Sequence, residues 1–234
     1  MSTFNLRTFT PAEAAKISGV NVALQRDWRR RDILPKVEGH ARFSPFDVGE
    51  MMALNSLGAQ GVQLLQYRPI LKMLGAGVMM AALKLRGAYS GEFDRIVDVH
   101  NPEILGRLKH THSLDKQETV NRWRAAYARQ RILSKEGHEA NSVRTMFIHW
   151  ADNSFAFSWG PTSAYENIEP SDPRRSGAIV MVDMEGLGHA LIKRSGAIVD
   201  VKPVCGSLSE EMLERKIAEA LTKSEEAGAN AKAS

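Results

Sequence analysis

The residues with chemistry to offer are cationic and crowd the amino-terminal part of the chain. Between Arg26 and Arg42 stand Arg26, Arg29, Arg30, Arg31, Lys36 and Arg42 against Asp27, Asp32 and Glu38, a surplus of +3. The guanidinium fork of arginine matches phosphate oxygens and the O6/N7 edge of guanine. This grouping therefore implies recognition of a polyanion and not bond breaking. Leu24 and Trp28, four apart, share one helix face and would anchor a helix there, leaving Arg26, Arg29 and Arg30 on its remaining faces. Charge alone equally describes a solvated basic helix with no nucleic acid partner. The order of the neighbouring elements decides between the two.

Those elements begin at Thr10, which caps a helix with Pro11 at its first position and Glu13 completing a capping box. That helix carries Ala14, Ala15 and Ile17 and stops at Gly19. Asn21 caps a second helix through about Arg31. The chain turns at Ile33-Leu34-Pro35, crosses Gly39, and returns through Arg42-Phe43-Ser44 into a third helix capped near Ser44, with Pro45 in its first turn. Helix, tight turn, basic helix and glycine-containing ribbon follow the order of a winged helix-turn-helix.

On these residues the first 70 or so positions resemble a MerR-type DNA-binding domain. The matching set is Gly19-Val20-Asn21, Arg26, Trp28, Ile33-Leu34-Pro35, Arg42-Phe43-Ser44-Pro45 and Asp47-Val48, with Leu54, Leu57 and Gly61 continuing it. Two positions depart from the family pattern: Asp27 stands where the family often has a tyrosine facing the DNA backbone, and Asp32 replaces a usual glycine at the helix end. The DNA-contacting set expected here is Gln25, Arg26, Arg29, Arg30, Lys36, His40 and Arg42, with Trp28 and Phe43 as structural support. The resemblance implies a sequence-specific homodimeric transcriptional regulator that reads inverted half-sites on double-stranded DNA and works by deforming the duplex. MerR-like modules also occur in architectural and assembly proteins, such as recombination directionality factors and phage packaging components, and that is the alternative reading.

A chain of 234 residues with 43% hydrophobic content holds one large or two modest domains. Net charge is +4 and the isoelectric point about 9.2, mildly basic and compatible with nucleic acid. One cysteine, Cys205, excludes an intramolecular disulfide. The stretch from Ile70 to Leu85 is interrupted by Lys72 and Lys84 and is too short to span a bilayer. A cytoplasmic, nucleoid-associated location is expected, with no membrane partner.

The expected organisation is mixed α and α+β: residues 1–72 the winged helix-turn-helix, 73–139 a helical linker and dimerisation region, 140–206 a small α/β domain, and 207–234 a terminal helix and disordered tail. Gly75 and Gly77 suggest a helix break within the Met- and Leu-rich segment after Pro69. Asn101-Pro102 opens a short helix carrying Ile104, Leu105 and Leu108. A longer helix from about Leu114 to Ser134 carries a Val120, Trp123 and Tyr127 stripe flanked by arginines, suited to pairing with its own copy or to packing within the chain. Residues 144–150 and 155–159 alternate as a β-hairpin joined through Ala151-Asp152-Asn153-Ser154, with Phe155, Phe157 and Trp159 on a buried face. Arg175-Ser176-Gly177-Ala178-Ile179-Val180 returns as Arg194-Ser195-Gly196-Ala197-Ile198-Val199 around a helix capped by Asp183, a strand–helix–strand order. Ser207 and Glu210 form a capping box for the last helix.

No phosphate-cradling glycine loop, nucleophile elbow or paired-cysteine motif occurs, so neither catalysis nor a cofactor is expected. His100, His110 and His112 lack carboxylate or cysteine partners at ligand spacing, and no metal is expected. Cys205 reads as a small turn residue. Any effector, small molecule or protein, is assigned to the carboxy-terminal region.

Overall fold

A computed structural model describes residues 2–35, 41–96, 116–160, 162–163, 168–169, 171–175 and 177–203, and the architecture is mixed helix and sheet. The described residues form β1 (Ser2–Leu6), α1 (Pro11–Ser18), α2 (Val22–Arg30), α3 (Pro45–Gly58), α4 (Leu71–Ala82), β2 (Tyr89–Gly91), α5 (Lys116–Lys135), β3 (Met146–Trp150), β4 (Phe155–Ser158), β5 (Ile179–Asp183), α6 (Met184–Ser195) and β6 (Val199–Pro203). The expected helices at 101–108 and after Ser207, with His100, His110, His112 and Cys205, lie outside the described residues.

Helix starts follow local side-chain chemistry. Thr10 Oγ1 accepts from the Glu13 N–H at 3.3 Å while Glu13 Oε2 accepts from the Thr10 N–H at 2.8 Å. Asn21 Oδ1 accepts from the Leu24 N–H at 2.8 Å. Ser44 and Asp47 form a second reciprocal box ahead of α3, with the Ser44 N–H donating to Asp47 Oδ2 at 2.7 Å. Each arrangement satisfies donors that the first helical turn leaves without partners.

The strands form two sheets. In the first, β6 lies between β1 (antiparallel, Leu6 opposite Val199) and β2 (parallel). In the second, β3 lies between β4 and β5, both antiparallel to it. The β3–β4 hairpin turns through a three-residue loop, 151–153, in which the Asn153 N–H donates to the Trp150 carbonyl at 3.0 Å and Asn153 takes the left-handed conformation at φ 66°. Strand, helix and strand follow one another from 179 to 203 as expected, but β5 and β6 belong to different sheets. The repeated Ala-Ile-Val segments thus mark two strand starts and no repeated unit.

The larger of two apolar clusters among the described residues draws on positions from Phe9 to Val201, and the smaller joins Ile148, Trp150 and Ile168. The larger cluster crosses positions 72 and 140, so those expected boundaries do not separate independent cores. Its centre is α4, a continuous helix in which ten of twelve residues are buried. The expected break at Gly75 and Gly77 is absent because both glycines are contact points. A methyl group on Gly75 would lie 2.9 Å from the Phe46 carbonyl oxygen, and one on Gly77 would lie 2.8 Å from the Arg144 carbonyl oxygen. Gly188 of α6 meets α4 in the same way, its Cβ position 2.7 Å from Ala81 Cβ and from the Ala82 nitrogen.

α5 spends its apolar side inside the chain. Ala125, Ala128, Ile132 and Leu133 are buried, and Tyr127 meets the edge of Phe4 at 6.2 Å. Arg124 reaches Asp94 at 3.5 Å. The Trp123–Tyr127 stripe is therefore a packing surface in this fold. On β4 and just after it the expected burial is reversed: Phe155 and Trp159 are exposed, Trp159 at 52%, while Ser158 is buried and donates to the Gly160 carbonyl at 2.7 Å. Arg144 covers the Trp159 ring at 4.3 Å.

Glu50 is buried between α3 and α4 with Oε2 unpartnered. Desolvation, assisted by Asp47 and opposed by Lys72, pushes its carboxyl up to about 8. Folding thus favours the protonated form, and stability falls as pH rises from about 5 through about 8, where the unfolded chain releases a proton that the folded one retains. Urea unfolding across that window should show the decline, and Glu50→Gln should flatten it. Gly188→Ala should destabilise by about 1–3 kcal/mol through overpacking, even though alanine is the better helix former by about 1 kcal/mol. Thermal unfolding of the purified variant gives the sign.

Candidate nucleic-acid interface

The amino-terminal helices are held by a polar clamp that their sequence does not advertise. Gln25, on α2, is 1% exposed, and its Nε2 donates to the Pro11 carbonyl at 3.0 Å and the Val20 carbonyl at 2.9 Å. One side chain thereby ties the start of α1 and the inter-helix turn to α2. Gln25 is withdrawn from the surface, which corrects its expected role as a DNA contact: an amide donating twice to backbone carbonyls is positioning the helices. Trp28, 5% exposed, is buried beneath α2.

α2 ends in a Schellman arrangement. The Ile33 N–H donates to the Trp28 carbonyl at 2.8 Å and the Asp32 N–H to the Arg29 carbonyl at 3.1 Å. Asp32 occupies the left-handed position at φ 61°, the conformation glycine takes without steric penalty. It also pairs with Arg68 from the segment before α4, which ties the end of α2 to the rest of the molecule.

The return chain is fixed by an isolated antiparallel bridge between Phe9 and Phe43, with N–O distances of 2.8 and 2.9 Å. Phe43 is 4% exposed. Arg29 lies over its ring at 4.8 Å. Two of the three Arg29 guanidinium nitrogens, Nε and one Nη, are shielded from solvent without a hydrogen-bond partner. Burial holds its pKa below the usual arginine range, partly offset by the Asp47 carboxylate. Arg29 is therefore a post joining α2 to the return chain, where sequence reasoning placed a base or phosphate contact.

The other cations face outward. Arg26 and Arg42 are exposed, and among the described residues neither forms an ion pair. Arg30 and Arg31 both pair with Asp27, Arg31 at 2.9 Å, with side chains 78% and 66% exposed. Asp27 thus occupies two cations at the point where the resembled family often has a tyrosine. Lys36 and His40 lie outside the described residues. Arg194 of α6 donates to the Ile17 carbonyl at 2.7 Å, so the end of α1 is braced by the carboxy-terminal part of the chain, a tether with no local sequence signal.

Among the described residues, no three His, Cys, Asp or Glu side chains are grouped to hold a metal ion. No described helix is long and apolar enough to cross a membrane. The chain matches no family model, no curated protein and no solved structure.

Asp32→Gly should stabilise the fold by about 1 kcal/mol, because relief of the left-handed strain outweighs loss of an exposed ion pair. Chemical denaturation of the two proteins side by side checks it, and a lower midpoint for the glycine variant refutes the balance.

Proposed function

We propose that α1, α2 and the bridged return chain form a winged helix-turn-helix of MerR-like type that binds double-stranded DNA, and that the protein acts as a transcriptional regulator. The observation that carries the reading is the separation of roles around α2. Gln25, Trp28, Arg29 and Phe43 hold the frame, while Arg26 and Arg42 stand exposed beyond it, without an ion pair among the described residues. Arginines left outside the frame remain available to phosphates and base edges.

In this reading α2 enters the major groove, Arg26 contacts a base edge or phosphate, and Arg42 grips the backbone from the return chain. Arg30 and Arg31 join them at little cost, since exposed ion pairs such as those with Asp27 contribute only about 0–1 kcal/mol. Two copies reading inverted half-sites would pair through a surface other than the buried side of α5. The exposed Phe155, Trp159 and Met181 on the second sheet favour a protein partner as well, which keeps the assembly-factor reading of the same module as the alternative.

Binding to duplex DNA should weaken steeply with salt, log K falling linearly with log salt concentration. Arg26→Ala and Arg42→Ala should each reduce that slope by about one, whereas Asp27→Asn should tighten binding by freeing two cations. Fluorescence anisotropy at several salt concentrations reads all three. Affinity insensitive to salt, or unchanged in the Arg26→Ala/Arg42→Ala double variant, would overturn the proposal.

A further inference from the structure

A polar recess lies away from α2, where the segment after α3 faces the second sheet. Its volume is about 470 Å³, within the range of small-molecule sites. Gln60, Gln63 and Gln66 come from one side, His149 and Asn153 from the β3–β4 hairpin, and Val180 from β5. Among the described residues, no lysine, arginine, aspartate or glutamate lines it.

His149 is the unusual member. It is only 7% exposed, it sits edge-on to the buried Tyr67 ring at 5.7 Å, and its Nδ1 is sealed from solvent with no hydrogen-bond partner. Desolvation also holds this imidazole below its ordinary range, with Asp152 opposing, so it is neutral at neutral pH. Gln66 spends its Nε2 on the Tyr67 hydroxyl at 3.1 Å, which turns the carbonyl end of that amide into an acceptor with a fixed support.

The geometry points to this recess as a binding site for an uncharged purine base or its nucleoside. An anionic ligand would lose hydration there without meeting a cationic side chain among the described lining residues. Side-chain amides carry a donor and an acceptor on one short plane, the pattern that pairs with the N6/N7 edge of adenine. The neutral imidazole adds one more partner, and the branched Val180 side chain gives an apolar wall for a flat ring. Both the hairpin and the residue 60–66 segment are required, so the site exists only in the assembled fold.

The test uses the full-length protein without nucleic acid. Adenine, adenosine, AMP and maltose are titrated by calorimetry and by NMR of the histidine ring protons. Adenosine or adenine should bind saturably and shift the His149 resonances, AMP should bind more weakly than adenosine, and maltose should not bind. Gln63→Ala, at an exposed rim position, should weaken binding by about tenfold without loss of folding, and His149→Phe should weaken it further. No saturable binding of either purine, binding of maltose alone, preference for AMP over adenosine, or purine affinity unchanged in Gln63→Ala would each overturn the assignment.

Discussion

The constraint on which this molecule depends is the near absence of side chains where α4 meets its neighbours. α3 approaches it at Gly75, the chain before β3 at Gly77, and α6 presses Gly188 against Ala81 and Ala82. Interaxial distance depends on the side chains at a helix contact, so these positions let three layers close on one rod. Because α3 follows directly from the return chain at Phe43 and Ser44, the placement of the amino-terminal helices is inherited from this packing. The exposed arginines are thus oriented by a contact many residues from them.

A second level of organisation is polar and local to the amino-terminal part. Gln25 fastens α1 to α2, Arg29 fastens α2 to Phe43, and Arg194 braces α1 from α6. Each is a long hydrogen-bonding or cationic side chain used as a strut, and burial is what separates a strut from a reader. Charge in the sequence counts both kinds alike. Only two of the four described arginines in the expected contact set, Arg26 and Arg42, are left unengaged by this scaffold.

What was legible in the sequence was what is decided within a few residues. Thr10, Asn21, Ser44 and Asp183 announce helix starts because their partners lie two or three positions on, and the hairpin at 151–153 follows from its turn residues. What was not legible is decided by distant chain. The local rule for glycine in a helix is weakness, yet Gly75 and Gly77 are kept by contacts with α3 and with Arg144. Gln25 reads as a surface amide until its two carbonyl acceptors are located, one of them 14 residues away. β1 has no turn partner nearby, and the split of β5 and β6 between sheets is invisible to a pattern that sees only strand, helix, strand. In the candidate interface the burial of Trp28 followed from its spacing with Leu24, whereas the internal use of Arg29 required seeing the Phe43 ring.

The first sheet also sets a timetable for biogenesis. Its opening strand pairs with residues made last among those described, Thr3 bonding the Lys202 carbonyl across 199 positions. At about 5–20 residues per second on the ribosome, the nascent amino end must wait roughly 10–40 seconds for its antiparallel neighbour to emerge. During that interval β1 is an unsatisfied edge with Phe4 and Leu6 uncovered, the kind of segment chaperones shield. Vectorial synthesis can assemble the helices early, but this sheet closes only after β6 has left the ribosome.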